Sequence, residues 1–142
     1  MTEPNLPLTG TCNCGAVSFE VTEPLLFANY CHCTRCQRRT GAGASPNARV
    51  APGAFRIARG EDRLRSWNPP DGAEKFFCGD CGSALFSRSS DGHIGVRLGV
   101  LDSDPGVRPS AHGFTTYAAA WEAIPDDGLP RHPEAAPPPS PR

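Results

Sequence analysis

Tyr30-Cys31-His32-Cys33-Thr34-Arg35-Cys36-Gln37-Arg38-Arg39-Thr40-Gly41 sets three thiols within six residues, followed by arginines and a turn glycine. That is too crowded for a packed core, and neighbouring disulfides would compete for the same volume. A metal ion is the simplest reason to converge three soft ligands, and thiolate sulfur suits zinc in tetrahedral geometry with Zn–S near ~2.3 Å. Three protein ligands leave the fourth position for water or substrate, the pattern of a catalytic zinc. Cys31, Cys33 and Cys36 are therefore the candidate catalytic metal ligands.

Four further cysteines flank this stretch. Cys78-Gly79-Asp80-Cys81-Gly82 has the form of a zinc knuckle, whose glycine permits a tight backbone with N–H groups turned toward the thiolates. A knuckle supplies two ligands, and Cys12-x-Cys14-Gly15 is the natural second pair. The expected result is a structural zinc held by Cys12, Cys14, Cys78 and Cys81, with a second zinc at Cys31, Cys33 and Cys36, two per chain. An alternative pairs Cys33 and Cys36 with the knuckle as a zinc ribbon, which leaves Cys12, Cys14 and Cys31 without a coherent role. His32 is a further candidate ligand. In an extended Cys-x-Cys segment its side chain points away from its neighbours, which favours a hydrogen bond to backbone or solvent instead. His93 and His112 read as surface or sheet-edge residues, and His132 as part of the tail.

The chain has 142 residues, enough for one domain. Its 15 glycines and 16 prolines disfavour long helices, so the expected class is mainly β with at most one or two short helical turns. Thr11–Val21 alternates with Val17, Phe19 and Val21 on one face, and His93–Leu101 alternates with Ile94, Val96, Leu98 and Val100. Ala42–Pro46 reads as a loop, Gln37–Thr40 as one helical turn ended by Gly41, and Phe114–Trp121 as a last strand or extended segment. The predicted organisation is an N-terminal extension over 1–10, a zinc-binding domain over 11–130, and a disordered Pro-rich tail over 131–142.

A net charge of −1 leaves no global field for nucleic acid or an anionic membrane. No window approaches the ~20 apolar residues of a membrane span, and Met1–Gly10 lacks the apolar run of a signal peptide. The expected location is the cytoplasm, where an odd count of seven thiols is kept reduced and argues for metal over disulfides. Arg35, Arg38 and Arg39 are candidate contacts for a carboxylate on a ligand at the open zinc position. Their plainer reading is solvated charge on a short turn.

These residues carry a resemblance. Gly10-Thr11-Cys12-Asn13-Cys14-Gly15-Ala16-Val17, Cys31-His32-Cys33-x-x-Cys36-Gln37-Arg38, Phe77-Cys78-Gly79-Asp80-Cys81-Gly82-Ser83, Leu98-Gly99-Val100-Leu101-Asp102 and Trp121-Glu122-Ala123-Ile124-Pro125-Asp126-Asp127 occur in this order. Together they resemble the family of glutathione-dependent formaldehyde-activating enzymes, which shares a domain with centromere protein V. The resemblance implies an Mss4-like fold of several small coiled antiparallel sheets tied by zinc. It also implies a carbon–sulfur lyase, or S-(hydroxymethyl)glutathione synthase, that activates a glutathione-like thiol for addition to formaldehyde or a related aldehyde. The partners would be a small thiol and an aldehyde, with the protein a monomer or homodimer. A zinc-stabilised protein-interaction module without catalysis is the alternative. A thiol redox sensor at Cys33-x-x-Cys36 is a third option, and requires that site to be metal-free.

Overall fold

The computed structural model describes residues 4–139, and the outermost residues of the predicted extension and tail lie outside that range. The chain is mainly β with one short helix. Strands β1 (Leu8–Thr11), β2 (Ser18–Val21) and β5 (Phe55–Arg59) form a three-stranded antiparallel sheet in the order β1-β2-β5. A second sheet is built from β3 (Phe27–Cys31), β4 (Ser45–Arg49), β6 (Leu64–Trp67), β7 (Glu74–Cys78), β8 (Ala84–Arg88), β9 (Ile94–Arg97) and β10 (Pro109–Gly113). Its order is β10-β3-β4-β9-β8-β7-β6, antiparallel except for the parallel pair β10–β3.

Phenylalanines join the two sheets. Phe19 and Phe55 from the small sheet meet Phe86 from the large one at ring-centroid distances of 6.3 and 4.6 Å, and Phe76 stacks on Phe86 at 4.6 Å. Leu8, Val17, Val21, Leu85 and Val96 are fully buried around them. Gly10 is required here, since a Cβ at that position would sit 2.2 Å from the Phe19 ring. Phe86 touches rings from both sheets, so Phe86→Ala leaves a cavity that neither side can close alone. A loss of ~3–5 kcal/mol is expected, read as a shifted urea midpoint at an unchanged slope.

Several elements differ from the sequence-based expectation. The first strand starts at Leu8, inside the stretch read as an extension, because Leu8 is an apolar side chain with a place in the core. Ser45 and Pro46, read as loop, open β4. The strand predicted over His93–Leu101 stops at Arg97, and a 3-10 turn takes Leu98–Val100, so alternation holds only over its first half. Over Phe114–Trp121 there is a 3-10 turn, Thr115–Tyr117, and the last strand lies before it.

The predicted tail also departs from its composition. Pro130 and the tail residues to Glu134 run along β10 and the turn after it, with His112 N–H donating to Pro130 O at 2.9 Å and Phe114 N–H to Glu134 O at 2.8 Å. β10 is an edge strand, and its His112 N–H finds an acceptor in the Pro130 carbonyl. Among the described residues no helix is long and apolar enough to cross a membrane.

Candidate metal and thiol site

Two glycine turns bring the first cysteine cluster together. Gly15, at φ 79°, closes the turn after Cys12 through Gly15 N–H to Cys12 O at 3.0 Å. Gly82, at φ 80°, closes the matching turn after Cys78 through Gly82 N–H to Cys78 O at 2.8 Å. Side chains at these angles are strained, which is why glycine follows both thiol pairs. Ser83 ties the turns to each other: it accepts from Asn13 N–H at 3.0 Å and lies 3.2 Å from Cys81 Sγ. That hydroxyl is the main influence lowering the Cys81 thiol to about 5. Val17 N–H donates to Cys12 Sγ at 3.2 Å.

The ligand atoms of Cys12, Cys14, Cys78 and Cys81 all lie within 4.8 Å of one another, and Cys12 and Cys78 are buried. Two of the sulfur separations are 3.7 and 3.8 Å. A tetrahedron of metal–sulfur bonds near 2.3 Å has edges of about 3.8 Å, so this cluster has the dimensions of a four-thiolate metal site.

The second cluster is built by β3 and the helix that follows. Strand β3 ends at Cys31, and helix α1 (Thr34–Thr40) begins at an N-cap provided by Cys33, whose Sγ accepts from Cys36 N–H at 3.3 Å. Cys36 lies one turn into the helix, and Gly41 ends it at φ 70°. The sequence-based turn over Gln37–Thr40 is thus the second half of a seven-residue helix whose first half carries the thiol. The sulfurs of Cys31, Cys33 and Cys36 lie within 4.8 Å of one another. Contact with Cys31 and Cys36 drives Cys33 down to about 2, with N–H groups of the first helical turn adding to the effect, while the same contact pushes Cys31 far up. Three thiols that share protons in this way form a donor set suited to a soft cation. The fold therefore groups the seven cysteines as four and three, and does not pair Cys33 and Cys36 with the knuckle. All seven are free of disulfides.

His32 faces away from this cluster. Its Nε2 is 2.9 Å from His112 Nδ1, and His112 Nε2 is 2.8 Å from Asp127 Oδ2. Burial, then the neighbouring His112, lowers the His32 pKa, and the bond from His112 holds Asp127 below the usual carboxylate range. His112 is 3% exposed, so it is buried although it sits on the edge strand β10. The parallel register of β10 on β3 places it opposite Tyr30, and the two rings stack. Gln37 Nε2 donates to both His32 O and Tyr117 O, at 2.8 and 2.7 Å. The Cys31–Cys33 backbone is thus fixed from both sides.

The three arginines named from the sequence part company. Arg38 is exposed. Arg35 pairs with Asp71 at 2.5 Å and lies over the Trp67 ring. Arg39 turns inward, with Nη2 3.5 Å from Cys36 Sγ and 3.3 Å from Ser45 Oγ. Two cations that sequence reasoning missed complete the surroundings. Arg97 is 7% exposed, donates to Asn47 Oδ1 at 3.0 Å, and is pulled down to about 10 by burial and then by Arg39. Lys75 lies over Trp67 and is lowered by burial and then by Arg35. Arg39 Nε and Nη1 and Arg97 Nε are buried without a hydrogen-bond partner among the described residues. Buried guanidinium N–H groups without acceptors are costly, and a water or an ion is their usual partner. Arg97 also lines a cleft of 280 Å³ together with Cys31, Asn29, Asn47 and Arg49.

The chain is mainly β, with a four-thiol cluster and a three-thiol cluster that could each hold a metal ion, and with arginines beside the second. Residues 7–117 match the family described as glutathione-dependent formaldehyde-activating enzyme, and the chain belongs to that family. A Halomonas elongata protein named "Putative glutathione-dependent formaldehyde-activating enzyme" is 31% identical over 87 residues, 56% of this chain and 54% of that protein. The chain thus aligns with about half the length of this curated relative. The crystal structure of a Rhodobacter sphaeroides protein superposes with a TM-score of 0.57 at 25% identity, covering 87% of this chain and 98% of that one.

Proposed function

We propose that the protein is a zinc-dependent carbon–sulfur lyase of the S-(hydroxymethyl)glutathione synthase type. By this reading zinc is held at Cys12, Cys14, Cys78 and Cys81 as a structural ion, and at Cys31, Cys33 and Cys36 as the catalytic one. The reaction joins a small carboxylated thiol to formaldehyde or a related aldehyde: a C–S bond forms at the carbonyl carbon, and the thiol proton ends on the carbonyl oxygen. The reverse direction cleaves the same bond. When bound at the three-thiolate site, zinc supplies a fourth coordination position that favours the thiolate form of a substrate thiol and fixes its direction. The protein's own residues bind and orient. Cys36 accepts from Arg39, which offsets the negative charge gathered by three thiolates. Arg97 and Arg49 face the cleft that Cys31 lines, and Lys75, over Trp67, is near enough to feel the charge of Cys36.

The observation that carries the reading is a three-thiol cluster with Arg39 Nη2 3.5 Å from Cys36 Sγ, opening on a cleft that Cys31, Arg49 and Arg97 line together. Three thiolates, a divalent ion and a substrate thiolate leave two negative charges, against Arg39, Arg49 and Arg97, with Lys75 in electrostatic reach. A carboxylate on the thiol suits that excess of cations. A purely structural zinc module has no use for that surplus. A cytoplasmic setting, with its reduced thiols, matches seven free cysteines.

Exchange spectroscopy by NMR on mixtures of glutathione and formaldehyde tests the assignment directly. The protein is expected to accelerate exchange between free and S-hydroxymethylated thiol, and no acceleration over buffer would reject the reaction. Arg97→Met should raise KM for the carboxylated thiol about 10–100-fold, from the loss of charge-assisted hydrogen bonds worth ~1.5–3 kcal/mol. Its effect on a thiol without a carboxylate, such as 2-mercaptoethanol, should be much smaller.

A further inference from the structure

The C-terminal segment over 130–136 lies beyond the residues that match the family, yet it reaches the thiol cleft. It is zipped to β10 and the following turn by backbone bonds: His112 N–H to Pro130 O and His132 N–H back to His112 O, at 2.9 and 2.8 Å, then Phe114 N–H to Glu134 O and Thr115 N–H to His132 O, at 2.8 and 3.0 Å. Tyr117 Oη adds a bond to Glu134 Oε1 at 3.2 Å. The run delivers Ala136 onto Gly113, where a Cβ would stand 3.4 Å from Ala136 N and 3.5 Å from Ala136 Cβ. Gly113 is the register partner of Cys31 on β3. Ala135 and Ala136 therefore form a wall of the cleft that Cys31 and Arg97 also line.

Phe114 lines that cleft too, and its backbone has φ 56°, a left-handed conformation found at no other non-glycine residue among those described. A bulky side chain rarely adopts it unless neighbouring structure imposes it. Here the bonds to His132 and Glu134 on either side supply that constraint.

We propose that the 130–136 segment sets which thiols reach the three-cysteine centre. Two methyl side chains beside Cys31 leave a passage for the peptide-sized body of a carboxylated thiol, and Phe114 closes the adjoining side. This deepens the reading under Proposed function and rests on it, since the ligand is a thiol at Cys31, Cys33 and Cys36. Size discrimination by such a wall is steric, so it falls on large thiols and spares small ones.

The test uses the full chain loaded with cobalt(II) in place of zinc, titrated with glutathione and with mercaptoacetate, and read by the thiolate-to-cobalt charge-transfer absorption. Ala136→Trp should weaken glutathione binding at least tenfold and leave mercaptoacetate within about twofold. Equal weakening of both thiols, or of neither, would overturn the proposal while leaving the thiol centre intact. If neither thiol perturbs the wild-type spectrum, the thiol reading itself fails and the wall loses its role. Ala135→Leu, on the exposed side of the same wall, repeats the comparison should Ala136→Trp not retain both cobalt ions.

Discussion

Cys33→Ser is expected to abolish aldehyde–thiol exchange, by at least about 10²-fold, while leaving the chain folded with half its metal. Cys33 is the middle member of the three-thiol cluster and the N-cap of α1, so it is the sulfur most committed to the thiolate form. The serine hydroxyl replaces the Cys33 Sγ as the cap that accepts from the Cys36 N–H, so the start of the helix is retained. What it removes is a soft ligand, and two thiolates do not hold zinc as three do. Metal analysis should fall from two zinc per chain to one, with the melting temperature changed by only a few degrees. Retained exchange activity at a stoichiometry of one would show that the three-cysteine site is not the reaction centre.

The cysteine grouping was legible because metal-ligand spacing is a local property. Cys-x-Cys-Gly and Cys-x-x-Cys-Gly each encode a turn whose thiols converge whatever the rest of the chain does. The class was legible for a similar reason, since 15 glycines and 16 prolines punctuate the chain too often for long helices. The cations at the site were harder to find. Arg97 sits where the alternation of Ile94, Val96, Leu98 and Val100 assigns an outward side chain, yet that outward face of β9 is covered and Arg97 is buried. Only the pairing of β9 with β4, which sets Arg97 opposite Asn47, reveals it. His112 and Asp127 carry no local signal either. The bond of His112 to His32 depends on a parallel pairing between strands far apart in sequence, and Asp127 joins it only through His112. The tail misled by composition: prolines offer no N–H, but Pro130 and Pro133 carbonyls accept from His112 and Thr116. A proline-rich segment can therefore cover an edge strand, its proline carbonyls accepting while the His132 N–H donates back to His112 O.

Cys78→Ser should instead unfold the protein. Cys78 is fully buried at the end of β7, opposite Leu64 on β6, and its ligand set joins the start of the chain to a hairpin more than sixty residues on, as the Cys14–Cys78 sulfur contact at |i−j| = 64 records. Structural zinc contributes on the order of 10–16 kcal/mol apparent in small zinc peptides, as large as the whole ~5–15 kcal/mol stability of a typical domain. Losing one of four ligands also strands a buried serine hydroxyl among apolar neighbours, which adds to the cost. The expected result is loss of the cooperative thermal transition and of dispersed amide resonances, even with zinc in excess. The contrast with Cys33→Ser is the informative quantity, because both changes remove one sulfur. A shared zinc ribbon of Cys33, Cys36, Cys78 and Cys81 would make the two variants equally unstable. Separate centres make one variant inactive but folded and the other unfolded. Matching melting curves for the two would contradict the four-plus-three grouping on which the proposed chemistry stands.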